Sequence, residues 1–297
     1  MGVSQMETAM STATTPSSSS ISVRQPGFDF TPGFPRWWHS GEPWLSHYWN
    51  SFSMLFPLGE RHTVDIARDC LERLQVAQHP VLLADTLAFI GQEAAHRRAH
   101  IEYNRVLEAQ GYRNSVEPLL AWQLKQARGR SLRAQLAMGA AFEHWTATLA
   151  DLHLARPART DGMAELPRQT WEWHGAEETE HKSVLFDLYR CSGGGYWLRC
   201  AAFFFMTLLL FFNVSWQQAA MLRRDGVLLR PHTWRVALRD WFGRGGAAWH
   251  HLPRMAAYLR PGFHPAQHDS RALIEDWISR SAGQYRVVSP AAGAGTS

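Results

Sequence analysis

Cysteine is scarce in this chain, with Cys70, Cys191 and Cys200 the only three among 297 residues. Their odd number and wide spacing exclude a disulfide framework and a Cys-x-x-Cys metal knuckle, and suit a reducing compartment. Charge is thin as well, at 19% of residues, and 30 Lys+Arg against 26 Asp+Glu leave a net charge of only +4. With no long basic run this is not a nucleic-acid footprint, so no nucleic-acid partner is expected. The first residues hold no continuous apolar stretch that would serve as a signal peptide, so export is not expected and the cytoplasm is the expected location. There is no Gly-x-Ser-x-Gly elbow, no Gly-x-x-x-x-Gly-Lys phosphate loop and no His-Glu-x-x-His pair, which removes the common nucleophile enzymes, P-loop NTPases and zincins. Alternating strand patterns of useful length are also missing, so a sheet is not expected.

What is present is apolar and helical. The hydrophobic share of 45% excludes wholesale disorder. The length suffices for one large domain or two small ones. Histidine (15) and tryptophan (14) are abundant, which points to metal chemistry and to contact with something greasy. Residues 1–36 read as a Ser/Thr-rich tail and linker, and 286–297 as a second tail. Between them, four segments carry apolar residues at three-and-four spacing: Pro57 to Ala77, Pro80 to Gly111, Ser131 to Ala155, and Pro167 to Ser192. The fold class is therefore all-α, an antiparallel four-helix bundle over 37–195 with additional C-terminal helices over 196–285. Within the latter, 200–222 has no charged residue and is long enough to span a bilayer. Trp197 and Trp216 stand where interface anchors sit, while Asn213, Ser215, Gln217 and Gln218 make its second half partly polar. A fifth helix buried against the bundle and a membrane-seated helix both stay open. His250, His251, His264 and His268 read as surface groups on turns.

Chemistry concentrates on the helical stripes. In the second segment Phe89, Glu93, His96, His100 and Tyr103 share one face, and in the fourth Trp171, His174, Glu178, His181 and Leu185 do the same. A bare carboxylate on a core-facing stripe costs several kcal/mol unless a cation or a donor network compensates it. Glu-x-x-His puts a carboxylate and an imidazole on adjacent turns, so both can point at one ion. The first and third segments each add a lone carboxylate, Glu60 and Glu143. The intervals 93 − 60 = 33 and 178 − 143 = 35 bring each pair to similar height in a helical hairpin. Two hairpins, each giving one Glu and one Glu-x-x-His, form the ligand set of a carboxylate-bridged dinuclear metal site. Two divalent ions are therefore expected, iron first, manganese or zinc next. His100 and His174, one turn outside that set, are candidates either for ligation or for positioning a ligand. Glu177, on another face, is a substitute ligand if the register slips, and otherwise a solvated group or one that supports a ligand from behind. Gly139, Ala140 and Ala147 are small and expected to leave room for a ligand beside the metals.

The runs SFSMLFPLGER (51–61), FIGQEAAHRRAHIEYN (89–104), FEHWTA (142–147), WEWHGAEETEHKSVLFDLY (171–189) and YLRPGFHP (258–265) resemble the bacterial family labelled predicted metal-dependent hydrolases. The resemblance covers about residues 37–280, and in ligand pattern the chain is similar to the ferritin-like di-iron group. It implies a metal-ligand role for Glu60, Glu93, His96, Glu143, Glu178 and His181. Arg61-His62-Thr63 departs from the aromatic residues expected there. Three functions compete. The first is oxygen-dependent oxidation of a hydrophobic, lipid-like or aromatic substrate, with membrane contact through 200–222 at the inner face. The second is dinuclear hydrolysis of an ester, amide or phosphoester. The third is non-catalytic metal binding or a membrane-associated scaffold. Assembly as a homo-oligomer is compatible with all three.

Overall fold

The computed structural model describes residues 21–288. Helix α1 (Pro43–Arg73) begins fourteen residues before the expected start at Pro57 and passes straight through that proline. Proline has no N–H for the carbonyl four residues back and normally breaks a helix. Here the orphaned carbonyl of Ser53 accepts a hydrogen bond from Asn104 Nδ2 at 2.8 Å, so the neighbouring helix makes good the missing donor. The Trp-rich lead-in thereby becomes helix, and Trp49, Phe52 and Phe56 enter the core.

Helix α2 (Pro80–Ala109) follows a short turn and packs along α1. A helix not expected from the pattern, α3 (Glu117–Arg128), crosses to α4 (Leu132–Ala155), whose start is capped by the Ser131 hydroxyl accepting from Ala134 N–H. The fourth segment is two helices, α5 (Glu165–His181) and α6 (Val184–Cys191). Lys182 and Ser183 between them keep right-handed helical angles, so the interruption redirects the chain without ending its course. Helix α4 packs on α5 and α6, α1 also touches α4, and α2 touches α5, which closes the four-helix ring.

The remaining helices clad this bundle. Helix α7 (Tyr196–Arg224) lies across α1 and α4. Helices α8 (Pro231–Phe242) and α9 (Ala247–Tyr258) pack on α1 and α4 respectively, and α10 (Arg271–Arg280) on α5. Of the readings open for 200–222, packing against the bundle is what α7 shows on one flank, while the other flank exposes Phe204, Phe205, Leu208, Phe211 and Phe212.

Two corrections concern the termini. Strands β1 (Val23–Pro26) and β2 (Tyr285–Val288) pair antiparallel, Val23 opposite Val288 and Pro26 opposite Tyr285. Residues 21–36 and 286–288, read as tails, are thus built into the fold, while 1–20 and 289–297 lie outside the described residues. Four-residue strands are too short to announce themselves by alternation; they are held by what they pack on. Gly91 on α2 allows this approach, since a Cβ there would lie 2.7 Å from the Val23 side chain. His251, read as a surface group, is buried on α9.

Candidate metal centre

Four helices deliver the expected carboxylates and imidazoles to one buried strip. Glu60 comes from α1, Glu93 and His96 from α2, Glu143 from α4, and Glu178 and His181 from α5, none more than 3% exposed. His181 Nε2 lies 3.1 Å from Glu143 Oε2, 3.5 Å from Glu93 Oε1 and 3.6 Å from Glu178 Oε2. His96 Nδ1 lies 3.2 Å from Glu93 Oε1 and 3.5 Å from Glu178 Oε1. The strip continues through His174, whose Nε2 is 3.1 Å from Glu178 Oε1, to His100 and Glu60. Three groups bring their ligand atoms within 4.8 Å of one another: Glu93/Glu178/His181, His96/His174/Glu178 and Glu60/His100/His174.

Hydrogen bonds behind the strip decide which nitrogen of each ring faces it. Gln92 Nε2 donates to Glu180 and to the Ser22 carbonyl, so its Oε1, 2.8 Å from His181 Nδ1, must accept from that nitrogen. His181 therefore turns Nε2 to the strip. His96 Nε2 donates to Glu177 at 3.0 Å, leaving Nδ1 for the strip. Asn104 donates through Nδ2, hence its Oδ1 accepts from Ser53 Oγ, and Ser53 in turn accepts from His100 Nδ1 at 2.9 Å. His100 Nε2 is then the acceptor for His174 Nδ1–H at 2.9 Å, and His174 Nε2 is free for the strip. Each of the three facing nitrogens needs a proton or a metal ion between it and its carboxylate neighbours.

Several buried atoms confirm that demand. Among the described residues, no well-oriented hydrogen bond reaches either oxygen of Glu60 or of Glu143, Glu178 Oε2, His174 Nε2 or His181 Nε2. Buried polar atoms are seldom left so. Burial and the neighbouring charge of Glu93 raise the Glu60 carboxyl well above the ordinary range. Burial and the charge of Glu178 push Glu143 up to about 8. Burial opposes a proton on His181, but the charges of Glu178 and Glu143 overcome it and push the ring up to about 10. A metal cation would compensate such a cluster of buried carboxylates, and the donor set suits divalent first-row ions.

The structure separates the three additional candidates. His174 faces the strip, whereas the Nε2 lone pair of His100 is used by His174, so His100 positions its neighbour. Replacing His174 with Ala should therefore remove bound metal, while His100→Ala should keep the stoichiometry and weaken affinity about tenfold; metal analysis after titration against a chelator reads both. Glu177 needs no slipped register: it backs His96 and accepts the Arg24 N–H at 3.1 Å. Arg24 also binds both oxygens of Glu180. His96, Glu177, Arg24, Glu180, Gln92 and His181 thus form one circuit through β1. Gln92, Arg24 and Glu180 carry no periodic signal that would have singled them out. Thr63, noted only as a departure from the family pattern, donates to Glu93 Oε2 at 2.8 Å.

Phe56 stacks on His174, Trp173 meets His96 edge-on and Phe89 meets His181 edge-on, so the rings are walled by apolar surface. A cavity of about 680 Å³ lies between α1, α3, α4 and α7, and its lining includes Thr63, Gly59, Phe142, Met138, Phe205 and Leu209. Gly139 lines it too, but a Cβ there would lie 2.8 Å from Leu185 Cδ1, so its smallness serves helix packing as well as space.

Comparison with curated proteins and with solved structures found no match. Residues 22–269, by contrast, match the family described as predicted metal-dependent hydrolase, and this chain, with its buried His/Glu clusters able to bind metal, belongs to that family.

Proposed function

We propose that this protein is a dinuclear metal enzyme, iron its working metal, that oxidises a hydrophobic substrate with oxygen. The observation that supports this best is the pairing of a carboxylate-rich donor strip with an apolar cavity reaching Thr63, the residue that holds Glu93. Glu60, Glu93, His96, Glu143, His174, Glu178 and His181 would hold the ions, with Glu178 and His174 each common to two of the candidate groups. Four carboxylates balance the charge of two divalent ions and, as hard oxygen donors, favour their oxidised form. Iron held there would supply the redox chemistry with oxygen, and an external reductant would return it to the divalent state. The chain does the rest: the Arg24 circuit orients His96 and His181, Thr63 steadies Glu93, and Phe56 and Phe142 keep water from the inner end of the cavity. In this reading the reduced, iron-loaded protein consumes oxygen, measured with an electrode. A protein that holds only zinc, and whose iron-loaded form leaves oxygen untouched, would sink it.

The family description supports a second reading, hydrolysis of an ester, amide or phosphoester by water made acidic between two ions. Turnover of such substrates by anaerobic zinc- or manganese-loaded protein would favour it over oxidation.

A further inference from the structure

Helix α7 is apolar on both flanks. Its buried flank carries Phe203, Val214, Met221 and Leu222 together with Asn213, Gln217 and Gln218, while its outer flank presents Phe204, Leu208, Phe211 and Phe212, between 47% and 71% exposed. The buried amides are satisfied by protein: Gln217 donates to the Arg113 carbonyl and accepts from Ser115, Gln218 donates to the Trp44 carbonyl, and Asn213 donates to Gln123. A helix facing water presents polar groups on its outer flank instead. Exposed apolar surface on this scale marks a site of interaction.

The same side of the molecule continues the pattern. Helices α8 and α9 pack on α1 and α4, the two helices that also carry α7, and Trp145 of α4 joins the layers by donating to Thr207 and lying beside His251. They expose Trp234, Leu238, Phe242, Trp249 and Leu252. Around these, residues 223–260 hold eight arginines against two aspartates. Both aspartates are engaged inside the protein, Asp225 with His47 and Tyr112 and Asp240 with Arg159. Arg254 pairs with Asp151, but the other seven have no acidic partner within 223–260, and aromatic and aliphatic groups beside such an excess of arginine fit one partner, a bilayer surface carrying anionic headgroups.

From this we infer that α7, α8 and α9 form a docking face that lies in the plane of an anionic membrane. A transmembrane course is excluded by the anchoring of α7 at both ends. Arg199 binds the carbonyls of Tyr258 and Arg260, and Gln217 and Gln218 bind the loop after α2 and the start of α1. Crossing the bilayer would drag in α1, with its exposed Arg61 and Arg68. The 680 Å³ cavity opens beside this face, since the exposed Leu198 and Phe205 line it, so a lipid chain would reach the metal strip from the bilayer. That last consequence rests on the proposed function; the docking does not.

Flotation of the full chain with vesicles tests it. Vesicles of phosphatidylcholine with about one-third phosphatidylglycerol should carry about tenfold more protein than phosphatidylcholine alone, and high salt should abolish the difference. Replacing Leu208 and Phe211 together by Asp should prevent flotation while leaving melting temperature and bound metal unchanged, because both side chains point away from the bundle. Replacing Arg235 and Arg239 together by Glu should remove the preference for anionic vesicles. The Glu178→Ala protein should float like the parent, which keeps failure of the metal reading distinct from failure of this one. The inference falls if the parent ignores both vesicles, if charge makes no difference, or if the Asp variant floats unchanged. It also falls if the parent is a dimer that does not float and that the Asp variant splits, which would assign the face to a second copy of the chain.

Discussion

Removing the carboxylate of Glu178 should empty the metal strip. Parent protein expressed with iron is expected to carry about two ions per chain, and Glu178→Ala a small fraction of one, because metal affinity in such sites rests on the full set of deprotonated ligands. Glu178 lies in two of the three ligand groups, so its loss strips a donor from both at once. Glu93→Ala should also lose metal but less completely, since Glu93 belongs to one group only. Metal analysis on purified protein reads the result. Full occupancy in both variants would mean that the strip is a polar network and that the ions sit elsewhere.

Arg24→Ala should damage stability and metal binding together, although the residue touches no ligand atom. The guanidinium is buried between Glu177 and Glu180, at 3.5 and 2.8 Å. Withdrawing one partner of a buried ion pair costs about 3 kcal/mol, because the remaining carboxylates stay buried without the guanidinium's charge. Glu177 and Glu180 are also the groups that, through His96 and Gln92, set which ring nitrogens face the strip. Metal affinity should accordingly fall about 10- to 100-fold, the usual effect of losing a group that supports a ligand. Arg24→Lys should recover part of the stability, but less of the affinity, because Lys cannot span both oxygens of Glu180. Denaturant unfolding and competition with a chelator measure the two effects on the same samples. An Arg24→Ala protein with unchanged affinity would show that the imidazoles are held by packing against Phe89 and Trp173 alone.

The helical class, the four stripes and the six ligand candidates are legible in the sequence. They depend on local period: residues three and four apart share a helix face whatever the rest of the chain does. Two hairpins of matched length then bring the stripes level. What lay beyond that reach was everything that depends on a partner distant in the chain. The continuity of α1 through Pro57 is decided by Asn104, 47 residues further on, donating to the Ser53 carbonyl. His174 as a facing imidazole and His100 as its support are told apart only by the chain of donors from Asn104 through Ser53. The four-residue strands carry no period, yet β1 places Arg24 against Glu177 and Glu180, more than 150 residues away. The apolar run in α7 leaves burial in the bundle and an exposed course both open; only its docking on α1 and α4 decided which flank is free, because that depends on the surfaces those helices present.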